Sequence, residues 1–113
     1  MVSIATGNVT VAPHVLIRLV SLAIREVPGV ARLGSVPRTY AGRRSGASGP
    51  GVVAQIAVTG TSVDCYVIAA ASSNLLELGT AVQVTVAAVI RELAGMSVDE
   101  VNVYIQDVEA DSG

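Results

Sequence analysis

The sequence predicts a single α+β domain of two layers, in which two helices pack on one face of a small mixed β-sheet. Two segments with helical spacing of apolar residues, and several short Val- and Ile-rich runs bounded by Gly, Pro and Ser, favour this class. A length of 113 residues fits one domain that buries an aliphatic core without a disulfide or a structural metal. The predicted element order is β-α-β-β-β-α-β, over residues 1–113.

The chain opens with a predicted short strand at Val9–Val11, where apolar and polar residues alternate. Pro13 suits the first turn of a helix, because no N–H donor is needed there, and the helix is expected to run to about Val27. Its polar residues form one stripe, consisting of His14, Arg18, Ser21 and Arg25. The apolar arc covers well over half of the circumference, which is more than one sheet face requires.

The middle of the chain predicts three more strands around one long loop. Val30–Leu33 is a short strand, and residues 34–51 are predicted to be a flexible loop because Gly, Ser, Pro and Arg replace the apolar spacing. Val52–Thr59 and Val63–Ala71 are predicted as two strands of a hairpin, joined by a turn at Gly60–Ser62.

The last third of the chain predicts a helix and a strand. Asn74 and the two serines before it supply an N-cap, and Gly95 supplies a stop, so the second helix is expected from about Leu76 to Ala94. One apolar stripe is expected to face the sheet, formed by Leu78, Val82, Val86, Val89, Ile90 and Leu93. Val98–Val108 is the last predicted strand, and residues 109–113 are expected to form a frayed acidic end.

The titratable residues do not assemble into a recognisable catalytic or metal-binding set. The chain has one histidine, His14, one cysteine, Cys65, and nine scattered carboxylates. Nucleophilic catalysis needs a nucleophile beside a base, and a closed zinc site needs about four ligands. The Gly-rich segment lacks Lys and precedes a strand, unlike a phosphate-binding loop. We therefore expect no enzymatic activity, no catalytic residue and no cofactor or metal, with Cys65 as an inert buried thiol.

Charged residues make up 14% of the chain, about half the usual share, and the net charge is -2. Non-specific binding to nucleic acid needs a basic surplus, so nucleic acid is not an expected partner on the grounds of bulk charge. One cationic group in the predicted loop is a candidate contact for RNA or anionic lipid, namely Arg38, Arg43 and Arg44. A polyanion-binding module is therefore the alternative function, although a loop kept soluble by its charges is the simpler interpretation.

The aliphatic surface exceeds what so few charges can cover. Large apolar patches on soluble proteins usually mark contacts with other chains. Candidate interface residues lie on the two helices, at Ile17, Leu22, Ala81, Val84 and Ala88. The start of the chain does not resemble a secretory signal, and no apolar run approaches ~18 residues. We expect a cytoplasmic homo-oligomer that has no transmembrane segment of its own.

Three segments, in this order, resemble the alkaline shock protein (Gls-type general stress) family of envelope stress response proteins. They are Gly7–Val11, Val27–Val30 and the end of the second helix with the last strand, Glu92–Met96 and Val98–Val108. The resemblance implies a non-enzymatic bacterial protein of cell-envelope homeostasis that self-associates as an adaptor at the inner face of the membrane. It also implies a small membrane-anchored partner. The chain differs from the usual pattern in its lack of Lys and in its Arg-bearing loop.

Overall fold

The computed structural model describes residues 10–37 and 46–111. Two helices, with a π-helical turn, cover one face of a mixed five-stranded sheet in these residues, which confirms the α+β class. The elements in chain order are α1 (Pro13–Arg25), β1 (Val30–Leu33), β2 (Gly46–Gly49), β3 (Val52–Ala57), β4 (Gly60–Ala70), α2 (Leu75–Ala88), the π-turn (Val89–Leu93) and β5 (Val98–Glu109).

Strand β4 is the centre of the sheet and pairs along both of its edges. β1 and β3 lie end to end along one edge, and both run antiparallel to β4. They meet at Tyr66, whose N–H donates to the Gly51 carbonyl at 2.7 Å and whose carbonyl accepts from the Gly34 N–H at 2.7 Å. β2 continues the sheet beyond β3. β5 pairs in parallel with the opposite edge of β4, as the crossover through α2 permits.

The core lies between the helices and the sheet face that they cover, and it is aliphatic apart from one thiol. Alternation along β4 turns Val63, Cys65 and Val67 towards the helices, as predicted from the period of two. The other side is contributed by buried residues of the helices and the π-turn: Leu16, Val20, Ile24, Leu78, Val82, Val86 and Ile90. These apolar stripes therefore decide which helix faces meet the sheet.

Several predicted strand boundaries were wrong. The stretch predicted as a loop over 34–51 contains β2. Backbone hydrogen bonds to β3 hold this strand in the sheet, so it forms without the alternating apolar residues on which the prediction relied. The hairpin turn falls at residues 58–59, before the predicted Gly60–Ser62, since Gly60 already pairs with Ala57. At the chain start, Thr10 and Val11 are outside any strand, and Val9 lies outside the described residues.

The predicted frayed end was also placed too early. Glu109 belongs to β5 and pairs with Ala70, and its carboxylate lies 2.6 Å from the Arg32 guanidinium. The Glu109 carbonyl also accepts from the Ala71 N–H at 2.8 Å. Ladder bonds and an ion pair therefore extend the strand one residue beyond the predicted Val108.

The helix ends show where local hydrogen bonding differs from simple periodicity. α1 ends at Arg25, two residues before the predicted end. Asn74 caps α2 by accepting a hydrogen bond from the Glu77 N–H at 3.0 Å. After Ala88 the chain widens into the π-turn, in which the Ala94 N–H donates to the Val89 carbonyl at 3.2 Å.

The π-turn overturns one core assignment. Leu93 was predicted on the sheet-facing stripe together with Ile90, but Leu93 is 66% exposed whereas Ile90 is fully buried. A wider turn rotates the residues that follow it away from the direction that α-helical spacing gives. Leu93 therefore lies on the surface.

Candidate interaction surface

The outer face of α2 presents apolar and small side chains to solvent. Val84 is 65% exposed. Ala81, three residues before it, is exposed, and Ala88, four residues after it, is half-buried. Leu76, 82% exposed, lies at the border of the same face. Because α2 carries Leu, Val and Ala on nearly every side, its apolar surface exceeds what the sheet covers.

Two opposite charges lie at the ends of this face. Glu77 precedes Val84 by seven residues, about two turns or ~10 Å along the same side of α2. Arg91 follows Val84 by seven residues, within the π-turn, and lines the same groove as Val84 and Ala87. Both charged side chains are exposed, and neither forms an ion pair with another described residue. We call the surface of Glu77, Thr80, Ala81, Val84, Ala88 and Arg91 the α2 face.

A groove runs beside the α2 face along the outer edge of β5, which pairs with no other described strand. Gln83 occupies one backbone acceptor of this edge, because its side-chain amide donates to the Val101 carbonyl at 3.1 Å. The groove has a volume of about 240 Å³ on the Val103 side of Gln83 and about 350 Å³ on the Glu100 side.

Acidic residues near both ends of β5 affect what this edge can pair with. Asp99 and Glu100 lie near its start, whereas Asp107 and Glu109 lie near its end. Antiparallel pairing of two such edges places like charges together, and charged residues at edges commonly prevent such pairing. The α2 face is therefore the better candidate for contact with a second copy.

The face of the sheet opposite the helices is held by polar and aromatic pairs across β4 and β5. The rings of Tyr66 and Tyr104 stack with their centroids 4.9 Å apart, and the Asn102 amide donates to the Asp64 carboxylate at 3.0 Å. Burial raises the pKa of Tyr66, and the charge of Asp64 adds to this effect. No role was predicted from the sequence for these four side chains. Their contacts depend on the parallel register of β4 and β5, which cannot be deduced from the sequence of either strand alone.

A family model covers residues 1–110 of this chain, and the family that it describes has a cell envelope-related function. This chain belongs to the alkaline shock protein 23 family. The membership confirms the family resemblance that the three sequence segments carry. It also gives this family member a cell envelope-related function.

Other known proteins are similar to this chain in sequence or in fold. Protein YqhY of Bacillus subtilis (strain 168) is 26% identical over 108 residues, which cover 94% of this chain and 80% of YqhY. The copper form of MamM CTD has a TM-score of 0.57 at 17% identity, covering 88% of this chain and 86% of that one. A nickel form of a MamM CTD variant has a TM-score of 0.56 at 16% identity, covering 88% and 99%. The similarity to MamM CTD shows a shared fold.

The candidate residues of this family member fall into three groups. Ala81, Val84 and Ala88 lie on the α2 face, and Leu22 of α1 is 51% exposed. Ile17 is 6% exposed, because the β2–β3 turn packs on it so closely that a Cβ at Gly49 would come within 2.8 Å of its Cγ2. Ile17 therefore belongs to the core and offers no surface to a partner. The cationic group predicted to contact polyanions, Arg38, Arg43 and Arg44, lies outside the described residues.

Glu77 and Arg91 were not identified as interface residues from the sequence alone. Their signal is the equal spacing of seven residues on either side of Val84, which becomes informative once Val84 is known to point outwards. Within the described residues, no three His, Cys, Asp or Glu side chains are placed to hold a metal ion. Neither described helix combines the length and the apolar character that crossing a membrane requires.

Cys65 is expected to be unreactive in the folded family member. It is fully buried, and burial raises the pKa of its thiol to about 12, with a smaller contribution from the charge of Asp64. The reactive thiolate is therefore scarce below that pH. We expect 5,5′-dithiobis(2-nitrobenzoic acid) at pH 8 to react at least ~100-fold more slowly with the native protein than with the unfolded chain. Equal rates would contradict this burial.

Proposed function

We propose that this family member is a non-catalytic adaptor of the bacterial cell envelope that self-associates through its α2 face at the cytoplasmic side of the membrane. The cell envelope-related function of the family supports the cellular setting. The observation that carries the proposal is that Glu77 and Val84 are exposed on one side of α2, and that Arg91, in the π-turn that follows, is exposed beside Val84.

This arrangement is self-complementary when two copies of α2 lie antiparallel. If a two-fold axis passes through Val84, Glu77 of one copy lies opposite Arg91 of the other, and the pair occurs twice. Thr80 then lies opposite Ala88, so that small side chains meet along the helices. Such residues permit the axial separation of 8–10 Å that is usual for packed helices.

The apolar centre and the charged ends contribute differently. Removing an exposed Val or Leu side chain fully from water contributes roughly 1.5–3 kcal/mol, so Val84 supplies most of the affinity. An exposed ion pair contributes about 0.2–1 kcal/mol. The Glu77–Arg91 pairs therefore select the antiparallel orientation, because a parallel arrangement places like charges opposite each other.

The proposal predicts how charge reversal changes self-association. Glu77→Arg alone and Arg91→Glu alone each create two like-charge contacts, and we expect either to weaken the dimer at least ~10-fold, or about 1.4 kcal/mol. The double variant restores opposite charges and recovers most of the affinity. Sedimentation equilibrium measures these constants. Val84→Arg is expected to abolish dimerisation, whereas Val58→Arg, in the exposed β3–β4 turn, is the matched control.

Two results would contradict self-association through this face. The first is a wild-type protein that remains monomeric at the highest soluble concentration. The second is a double charge swap that dimerises no better than the single reversals. The first result excludes self-association, and the second moves the interface away from the α2 face.

The adaptor role has its own test. We propose that a small membrane-anchored protein is the partner, and that the surfaces left free by α2 pairing receive it. A tagged copy purified from separated membrane and soluble fractions is expected to recover such a protein from the membrane fraction. Recovery from the soluble fraction with RNA or ribosomal proteins would instead favour the polyanion-binding alternative.

A further inference from the structure

The polar stripe of α1 lines a shallow cavity that the proposed function does not use. Its volume is about 330 Å³, and Pro50 of the β2–β3 turn borders it opposite the helix. The polar lining residues follow one another at spacings of three or four, namely His14, Arg18, Ser21 and Arg25. That spacing places them on one side of the helix, facing the same space.

The cavity gathers positive charge without a carboxylate to balance it. Arg18 and Arg25 are exposed at its border, and neither forms an ion pair with another described residue. Glu26 is the only described acidic residue next to α1 in sequence, and it does not line the cavity. In contrast, the carboxylate of Glu109 neutralises Arg32 elsewhere in the protein.

A buried hydroxyl lies between the two arginines. The Ser21 Oγ is buried and has no hydrogen-bond partner among residues 10–37 and 46–111. Ser21 follows Arg18 by three residues and precedes Arg25 by four, so the two guanidinium groups can approach a group above Ser21 from both sides. Buried polar groups nearly always have a partner, and an unpaired one calls for an explanation such as a bound ion.

Helix electrostatics explains only part of this arrangement. Arg25 lies in the last turn of α1, where the helix dipole favours a cation. The dipole does not account for Arg18 in the second turn, nor for the unpaired hydroxyl of Ser21. An anionic ligand accounts for all three residues.

The geometry points to a phosphate-binding site formed by Arg18, Ser21 and Arg25. Guanidinium groups bind phosphate oxygens through paired N–H donors. The Ser21 Oγ is buried in its present rotamer, and rotation about the Cα–Cβ bond would bring the hydroxyl to donate to a third oxygen. His14 lies one turn beyond Arg18 and contacts the remainder of a larger phosphate ester. The site is separate from the α2 face and does not depend on self-association.

Calorimetric titration with inorganic phosphate at low ionic strength tests this site. We expect saturable binding to the wild-type protein and at least ~10-fold weaker binding to Arg18→Ser/Arg25→Ser. The charge-matched comparison uses single variants: Arg18→Ser is expected to bind phosphate several-fold more weakly, whereas Arg32→Ser, outside both the cavity and the α2 face, is expected to bind like the wild type. Ser21→Ala is expected to weaken binding several-fold without lowering the free energy of unfolding, because it removes an unpaired buried hydroxyl.

Vesicle flotation distinguishes the two sources of phosphate. If the natural ligand is a lipid headgroup, vesicles of phosphatidylglycerol and phosphatidylcholine in equal parts float the wild-type protein, and inorganic phosphate competes. If only inorganic phosphate binds, the ligand is a soluble phosphate compound. The inference is overturned if the wild-type protein shows no saturable phosphate binding, or if Arg18→Ser and Arg32→Ser bind phosphate equally. Unchanged sedimentation of Arg18→Ser/Arg25→Ser would show that the two surfaces act independently.

Discussion

Replacing Ile90 with alanine is expected to lower the free energy of unfolding by about 2–5 kcal/mol. Ile90 is fully buried in the core, and its carbonyl accepts from the Met96 N–H at 3.0 Å, which holds the end of the π-turn. Truncation removes three carbons from a packed site and leaves a cavity that the neighbouring aliphatic side chains fill only in part. Urea unfolding with an unchanged slope measures the loss.

Leu93 is the matched control for Ile90. It lies in the same π-turn and was predicted from helical spacing to share the core stripe, yet it is 66% exposed. Leu93→Ala is therefore expected to change the free energy of unfolding by less than about 0.5 kcal/mol. Comparable losses at both positions would show that the helix keeps its α-helical register beyond Ala88.

Gly51→Ala is expected to destabilise the protein by about 2–6 kcal/mol, through two effects of roughly 1–3 kcal/mol each. Gly51 adopts φ = 73°, which L side chains rarely adopt, and a Cβ there would lie 2.9 Å from the Tyr66 carbonyl oxygen and 3.1 Å from that of Gly34. Both neighbours are backbone atoms of the junction where β1 and β3 meet on β4. They cannot move without loss of these strand pairings.

Gly95→Ala separates the two effects. Gly95 has a similar φ of 68°, but apart from its own chain neighbours no atom of the described residues lies within 4 Å of the position that a Cβ would occupy there. Only the backbone conformation opposes alanine at this site, so we expect a loss of about 1 kcal/mol. The difference between the losses of unfolding free energy of the two variants therefore measures the steric cost of a Cβ beside the Tyr66 carbonyl. Equal losses in thermal or urea unfolding would contradict that packing.

The helices were predictable because their signals are local. Pro13, Asn74 and Gly95 mark helix ends, and apolar spacing shows which faces are buried. The π-turn was not predictable, since the spacing of Ile90 and Leu93 fits a continuous α-helix equally well. β2 was missed for a related reason: a Gly-Ala-Ser-Gly strand is held by backbone pairing and shows no hydrophobic period.

The candidate surfaces were predictable only in part. The outward position of Val84 follows from the apolar stripe on the opposite side of α2. The burial of Ile17 does not follow from α1 alone, because the turn that covers it belongs to a segment predicted as a loop. The cavity beside Ser21 was missed for the same reason, since Pro50 borders it.

The parallel pairing of β5 also has a consequence for translation. β5 is the last of the described strands in chain order, so it leaves the ribosome after β4, with which it pairs from Thr61–Val98 to Ala70–Glu109. Until residues 98–109 have been synthesised, one whole edge of the central strand is unpaired, and exposed apolar edges of this kind favour aggregation. A chain that stalls before Val98 therefore leaves this edge of β4 unpaired, and a nascent-chain chaperone has most to protect in the seconds before β5 emerges from the ribosome.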